Sequence, residues 1–373
     1  MKICIVTPLF AISGVPLAQI RFARAWAAKG YEVDLVIGRI DEEYQFPDVT
    51  GITLLNLNRR NVRGMFLPLV QYFLSVKPDV VFSAEDHLNT VVLLAAIFSR
   101  SKAKISGSSR VTPYDTYSKV PFTKRWVLKH IIKSVMWRAD ALTCVSKDMV
   151  VQYQNVFNAP PHVCVYNIVD DSLSRSRMME TVNHDWFVNK NCPILVAAGR
   201  LAPWKGFADL ISAMEILSSR RRVRLVILGD GPLRAELGGM IINLGLSDVV
   251  SLLGYVENPL KFFVAADVFV LSSKVEGLPN VLVEAMMCGC TPVSTDCPTG
   301  PSEVLRDGKY GYLVPVGDPV ALAAGIEQAL DNPISAAVLS EAVRPFEESA
   351  VLTKHFEVLK LSDSQYTLKK ETV

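Results

Sequence analysis

Val275-Glu276-Gly277-Leu278-Pro279-Asn280-Val281-Leu282-Val283-Glu284-Ala285-Met286-Met287-Cys288-Gly289 is the stretch from which the rest of the chain is read. The apolar run 268–271 before it reads as a buried parallel strand, bounded by Ser272-Ser273. Pro279 suits the first turn of a helix, Asn280 is a candidate cap, and Cys288-Gly289 closes the helix. Glu276 is therefore expected on a strand-to-helix loop and Glu284 inside the helix, with seven residues between them. The backbone amides of 278–281 are expected to form an anion site between the two acids. A carboxylate, an amide cradle and a second carboxylate suit a sugar nucleotide, which offers hydroxyls, a diphosphate and a ribose diol.

Upstream, an apolar strand at 194–198 runs into Gly199-Arg200-Leu201-Ala202-Pro203-Trp204-Lys205-Gly206, and a strand at 223–228 ends in Gly229-Asp230-Gly231-Pro232. No third glycine follows Gly231, so the dinucleotide fingerprint of dehydrogenases is absent. Two cations fixed at a strand's carboxyl end would stabilise charge developing on a leaving diphosphate. These segments, with the E-x7-E spacing of Glu276 and Glu284, resemble the retaining family-4 glycosyltransferases of GT-B fold. The resemblance is dense over 197–301 and loose before residue 141. It implies an α/β GT-B architecture, two Rossmann-like doubly wound domains facing across a cleft. The expected boundaries are 1–168 for an acceptor-side domain and 169–350 for a nucleotide-sugar domain, with 351–373 as a returning helix and tail.

The resemblance also implies roles. Glu276 grips donor hydroxyls as positive charge grows on the sugar, while Arg200 and Lys205 meet the diphosphate. Glu284 holds the ribose, and Gly14, Gly231, Val256, Gly277, Leu278, Pro279 and Asn280 complete the donor contacts. Front-face substitution with retention is implied, the departing diphosphate helping to deprotonate the acceptor hydroxyl. No D-x-D pair stands ready for a bridging metal, so no metal or other cofactor is expected beyond the nucleotide-sugar co-substrate, expected to be UDP-linked.

Length and composition agree with this reading. At 373 residues the chain exceeds one ordinary core. Half of it is hydrophobic and a fifth charged, which excludes intrinsic disorder. A net charge of +2 excludes a global nucleic-acid-binding field, and no nucleic-acid partner is expected. Seven scattered cysteines suit a reducing cytosol, and Cys288-x-Cys290 lacks zinc-ligand spacing. The apolar start after Met1-Lys2 is broken by Pro8, Gly14 and Pro16, so it reads as a first strand rather than a signal peptide. No run approaches the roughly 18 apolar residues of a membrane span.

Strand and helix patterns alternate through the first half, as in a parallel doubly wound sheet, whose ligands lie beyond the carboxyl ends of the strands. Three loops are expected there. In 8–14, Ser13-Gly14-Val15 keeps only one of the glycine pair usual in the family, and Gly14 serves either close approach or a tight turn. The loops 83–87 and 106–110 offer His87 and Arg110 as acceptor-side candidates. The family often has a histidine on the third loop; here Arg110 stands nearest, and a guanidinium suits a diphosphate or an anionic acceptor. His87 is either a functional substitute or a structural, solvated residue.

Lys119, Lys124, Arg125, Lys129, Lys133 and Arg138 lie among Phe122, Trp126, Val127, Ile131, Ile132, Met136 and Trp137. A helix over 123–138 is either a reversible contact with the anionic inner face of a cell membrane or an ordinary amphipathic helix on the sheet. The membrane alternative fits a cytoplasmic, peripheral enzyme that adds a hexose or N-acetylhexosamine from a UDP-sugar to a glycan or lipid-linked glycan acceptor. Two other readings are a catalytically silent sugar-nucleotide-binding subunit and a GT-B epimerase or phosphorylase.

Overall fold

The computed structural model describes residues 1–10, 14–40, 46–47, 49–158 and 160–361. Residues 11–13 of the expected loop 8–14, and the tail beyond 361, lie outside the described residues. The chain divides into two compact units, one of Met1–Ile168 with Glu348–Val373 and one of Val169–Glu347.

The first unit holds a seven-stranded sheet: β1 (Lys2–Thr7), β2 (Glu32–Ile37), β3 (Ile52–Asn56), β4 (Val80–Ala84), β5 (Lys104–Ser109), β6 (Ala141–Cys144) and β7 (His162–Cys164). Their spatial order is β3-β2-β1-β4-β5-β6-β7, and every pairing is parallel. The order reverses direction between β1 and β4, and that switch point opens a crevice at the strands' carboxyl ends. The central strands are buried along their length because helices cover the sheet. On one face Phe22 and Trp26 of the helix Gly14–Ala28 pack on Phe82 of β4. The helix Glu348–Leu359 returns to the same core, burying Val351, Leu352, Phe356 and Leu359. Each such side chain stabilises by about 1.5–3 kcal/mol, enough to order a helix too short to persist alone.

The second unit holds β8 (Ile194–Ala198), β9 (Arg224–Leu228), β10 (Val250–Gly254), β11 (Val268–Leu271), β12 (Thr291–Thr295) and β13 (Tyr312–Val314). Their order, β10-β9-β8-β11-β12-β13, is again all parallel, with its reversal between β8 and β11. An apolar cluster including Leu195, Leu210, Met214, Leu225, Val270, Val293 and Ile326 joins this sheet to its helices. Val169 N–H and Asp170 N–H both donate to Phe346 O, so the unit's first and last residues lie side by side.

Several expectations need correction. The polar segment that opens the second unit, up to Asn191, has no apolar periodicity in the sequence yet contains the helices Ser172–Met178 and Asp185–Val188. The first has no apolar stripe to betray it; Asp171 caps it, accepting from Ser174 N–H at 2.6 Å, and Arg175 pairs with the buried Asp170. Asn280 is not the cap of the helix Asn280–Met287; Pro279 occupies that position and no side chain caps it. The expected loop 106–110 is mostly strand, since β5 runs to Ser109. Asn89 holds it there, its Nδ2 donating to Ser108 O at 3.0 Å while its Oδ1 accepts from Ser83 Oγ at 2.7 Å. The expected loop 83–87 shrinks to Glu85, because Ser83 and Ala84 end β4 and the helix Asp86–Phe98 follows directly.

Candidate active site

Backbone hydrogen bonds lace the strand ends of the second unit together. Gly199 N–H donates to Leu228 O, Leu201 N–H to Asp230 O, Leu233 N–H to Leu201 O and Gly229 N–H to Gly254 O. The segments carrying Arg200, Gly231 and Val256 thus lie side by side past β8, β9 and β10. Gly231 is glycine because a Cβ there would come within 2.6 Å of Leu201 O.

On the other side of the switch point, Glu276 follows β11. Lys205 Nζ donates to its Oε1 at 2.6 Å, and Ser273 Oγ donates to the same oxygen at 2.6 Å. Thr299 Oγ1 donates to Glu276 O, and Thr295 Oγ1 donates to Ser273 O at 2.5 Å. Glu276 is thereby held by β8's loop, by its own loop and by the segment after β12. Lys205 owes its place to Gly206, which adopts φ 64° where a Cβ would sit 2.0 Å from Ser272 O. Ser272 Oγ in turn donates to Lys205 O at 2.8 Å.

Arg200 is exposed and lies in the same loop after β8 as Lys205. Gly277 and Asn280 are half-buried, Leu278 and Pro279 are buried, and Glu284 is half-buried in the helix one turn past Asn280. The amide cradle is smaller than expected: Pro279 has no N–H, and Asn280 N–H donates to Leu278 O at 2.9 Å. Of the four positions expected to form the cradle, this removes Pro279 and Asn280. Backbone bonds thus set the loops carrying Arg200, Gly231 and Val256 side by side, side-chain bonds bring Lys205 to Glu276, and Gly277, Leu278, Pro279, Asn280 and Glu284 follow Glu276 in its loop and helix. Chemically, the arrangement offers a lysine and an arginine to a diphosphate and a fixed carboxylate to hydroxyls. Ser273 and Thr299, which lock Glu276, were missed in the sequence; their only signals were the Ser272-Ser273 boundary and a threonine in a Gly/Pro-rich loop.

Gly14, His87 and Arg110 belong to the first unit. Gly14 opens the helix Gly14–Ala28, and a Cβ there would meet open space, so close packing does not demand glycine at that position. His87 lies in the first turn of its helix and pairs with Glu85, Nε2 to Oε2 at 3.0 Å; the carboxylate raises its pKa. Glu85 itself takes φ 82°, unusual for a side-chain-bearing residue at the crevice of a parallel sheet. The next residue, Asp86, is buried and accepts from Ser109 Oγ at 2.5 Å and from Tyr153 OH at 2.5 Å. Burial raises its pKa, which those hydroxyl donors oppose. Arg110 is the first residue past β5, its guanidinium donating to Asn167 Oδ1 and, at 3.1 Å, to Gln19 Oε1.

Two parallel Rossmann-like units, with cations and a carboxylate at the switch point of the second, define a glycosyltransferase of GT-B architecture. The sequence comparisons agree. The family described as "Glycosyl transferases group 1" matches residues 179–345, and "Glycosyltransferase Family 4" matches residues 12–173. The chain belongs to these group 1, family-4 glycosyltransferases and is a glycosyl-transferring enzyme. It is 28% identical over 314 residues to the N-acetylgalactosamine-N,N'-diacetylbacillosaminyl-diphospho-undecaprenol 4-alpha-N-acetylgalactosaminyltransferase of Campylobacter jejuni, covering 81% of this chain and 83% of that one. It is 26% identical to a second Campylobacter jejuni enzyme, an alpha-1,4-N-acetyl-D-galactosaminyltransferase acting on a GalNAc-bearing diNAcBac-PP-undecaprenol, covering 89% of each. Among solved structures, Anabaena HepE in complex with UDP and glucose superposes with a TM-score of 0.73 at 20% identity, covering 96% of this chain and 99% of that one.

Proposed function

We propose that the protein transfers a hexose or N-acetylhexosamine, with retention, from a UDP-sugar to a lipid-linked glycan in the assembly of a cell-surface polysaccharide or glycan. The observation that carries this is the Lys205–Glu276 pair at the switch point of the second unit, with Arg200 in the same loop as Lys205. Glu276, fixed by Ser273 and Thr299, takes the donor's hydroxyls and stabilises positive charge growing on the sugar ring. Lys205 and Arg200 take the diphosphate, whose charge rises as the glycosidic bond breaks, and do the work a metal would otherwise do. The leaving diphosphate accepts the acceptor hydroxyl's proton on the face it departs from, which keeps the anomeric configuration. Glu284 receives the ribose diol; Gly14, Gly231, Val256 and the segment Gly277–Asn280 line the nucleotide and sugar. His87 and Arg110 serve the acceptor. UDP is favoured by the UDP held in the HepE structure, and a lipid-linked acceptor by the undecaprenol-linked substrates in the relatives' names.

Reversible membrane attachment belongs to the same reading. No helix among the described residues is long and apolar enough to cross a membrane. The helix Lys124–Val135 buries only Ile132 and Val135, while Val127, Ile131 and the flanking Phe122 and Trp137 are exposed. Lys119, Lys124, Lys129 and Lys133 make no ion pair among the described residues, so they are available to anionic headgroups. Arg125 instead donates to the carbonyls of Tyr114 and Tyr117, and Arg138 to those of Ser101 and Ala103.

The test is incubation of UDP- and GDP-sugars with an undecaprenyl-diphosphate-linked glycan, with and without EDTA, and determination of the product's anomeric configuration. An α-linked product from an α-linked UDP-sugar, formed equally with EDTA, is expected. A β-linked product, a GDP preference or loss of activity in EDTA would each overturn the corresponding element of the reading.

A further inference from the structure

The two sheets share one strand order, β3-β2-β1-β4-β5-β6 in the first unit and β10-β9-β8-β11-β12-β13 in the second, so β4 corresponds to β11. Glu85 follows β4 as Glu276 follows β11, each past the carboxyl end of a strand beside its sheet's switch point. Each carboxylate has a basic partner: Lys205 for Glu276, and for Glu85 the His87 ring, Nε2 to Oε2 at 3.0 Å. Each is braced from the next strand as well. Thr299, after β12, donates to the Glu276 carbonyl, and Ser108 O of β5 accepts from Glu85 N–H at 2.9 Å.

Glu85 stands there at a cost. Its φ of 82° and ψ of 132° belong to a region open to glycine and unfavourable for other residues. The bond to Ser108, the bond from Asn89 N–H to Glu85 O at 2.8 Å and the anchored Asp86 beside it hold the backbone in place. None of these contacts uses the Glu85 side chain, so a glycine would make all of them without strain. The carboxylate is partly exposed, and its only bond among the described residues is the one to His87. Burial lowers the Arg110 pKa to about 10, and the Glu85 charge opposes that shift. With basic groups on two sides, the carboxylate calls for no further cation, while its unused lone pairs suit neutral O–H donors.

We propose that Glu85 is a specificity-determining residue for the acceptor, its carboxylate accepting hydrogen bonds from hydroxyls of the acceptor's terminal sugar. It is the first unit's counterpart of Glu276 on the donor. This rests on the reading that the first unit serves a glycan acceptor. His87 orients the carboxylate, and a glycine in place of Glu85 would relax the backbone but leave that strand end without a group to receive a hydroxyl.

The experiment titrates methyl α-glycosides of glucose, galactose, N-acetylglucosamine and N-acetylgalactosamine into the full chain saturated with UDP, followed by NMR, with UDP affinity measured separately. Saturable binding of at least one glycoside is expected. Glu85→Gln and Glu85→Gly should each weaken it at least tenfold and leave UDP affinity unchanged. Glu85→Gly should also raise the melting temperature, because glycine takes this φ freely. No glycoside binding to the wild type, or wild-type affinity in both variants, overturns the assignment. If a variant loses UDP affinity as well, the ring ¹⁵N signals of His87 in the wild-type chain decide: displacement by the glycoside supports the assignment, and no displacement overturns it. Transfer from UDP-sugars to an undecaprenyl-diphosphate-linked glycan is assayed in parallel. Transfer with an acceptor KM that Glu85→Gln leaves unchanged would sink the role of Glu85 and leave glycosyl transfer standing. Glycoside binding that depends on Glu85, in a chain that transfers no sugar, would do the reverse.

Discussion

Lys205 Nζ donates to Glu276 Oε1 at 2.6 Å, joining two residues 71 positions apart in the chain. One follows β8 and the other β11, the neighbouring strands between which the second sheet reverses its order. The lysine side chain is 19% exposed and the glutamate 11%. The cation proposed for the diphosphate and the carboxylate proposed for the sugar therefore orient each other in the free protein. Donor binding need only redirect a preformed pair.

Lys205→Ala and Arg200→Ala are both expected to lower turnover by about 10²-fold or more, as when one oxyanion donor is lost. Their stabilities should differ. Lys205→Ala leaves Glu276 without its cation in a mostly buried place, a loss of about 1–3 kcal/mol. Arg200 is exposed, and its removal should change stability by less than about 0.5 kcal/mol. Turnover and thermal midpoint measured on both variants check this; wild-type turnover in either would remove that residue from the site.

The two glutamates should fail differently. Glu276→Gln weakens the bonds from Lys205 and Ser273 and touches the reacting sugar, so kcat should fall more than donor affinity. Glu284→Gln removes a ribose acceptor common to ground and transition states, and KM for the donor should rise most. Titration of UDP alone into Glu284→Ala provides the sharpest check, since wild-type affinity there would contradict the ribose role.

Gly206→Ala is expected to damage the site without touching a charged group. The new Cβ would meet Ser272 O at 2.0 Å, and the backbone φ of 64° already disfavours alanine. The Lys205 loop must shift, so turnover should drop at least tenfold together with a lower melting temperature. Retained activity would mean that the Lys205 position is not held by this contact.

Stability should fall as pH drops from about 6.5 towards 5. His355 and His162 are buried, and burial lowers their pKa values from 6.5 to about 3 and about 4. A depressed histidine contributes its stabilisation above the unfolded pKa and loses it as protons bind the unfolded chain first. The expected slope is about 1.4 kcal/mol per pH unit for each fully neutral histidine. His87, raised by Glu85 but half-exposed, acts weakly in the opposite sense. His355→Phe should roughly halve the pH dependence of the thermal midpoint between pH 6.5 and 5; an unchanged slope would show that His355 titrates normally.

Membrane attachment is checked by co-sedimentation with vesicles containing anionic lipid. Binding at low salt that weakens at high salt is expected. Replacing Lys124, Lys129 and Lys133 by glutamine should abolish pelleting and preserve turnover on a water-soluble acceptor. Arg125 is left in place because its bonds to Tyr114 and Tyr117 carbonyls hold the helix start. A wild-type protein that stays in the supernatant at low salt would reduce the helix to a solvated face.

The alternation of apolar runs with helical periods was sufficient, read residue by residue, to give two parallel sheets and most of their strand limits. Fully covered parallel strands are apolar throughout, and that signal is local. The motif spacings likewise placed Arg200, Lys205 and Glu276 near strand ends and Glu284 inside the following helix, because a turn's chemistry is written in adjacent residues. What local sequence did not carry was partnership. Whether Lys205 meets a diphosphate or Glu276, whether Asn280 N–H is free, and whether Arg125 faces solvent or a carbonyl are set by strand order and register across long separations. The extension of β5 to Ser109 depends on Asn89, nineteen positions before Ser108, and a pocket lined by Arg110 is lined also by His355 from the far end of the chain. Serine, glycine and a lone buried histidine have no periodic signature. Their roles arise only when the sheet brings distant backbone close enough for a hydrogen bond, or leaves one unmade.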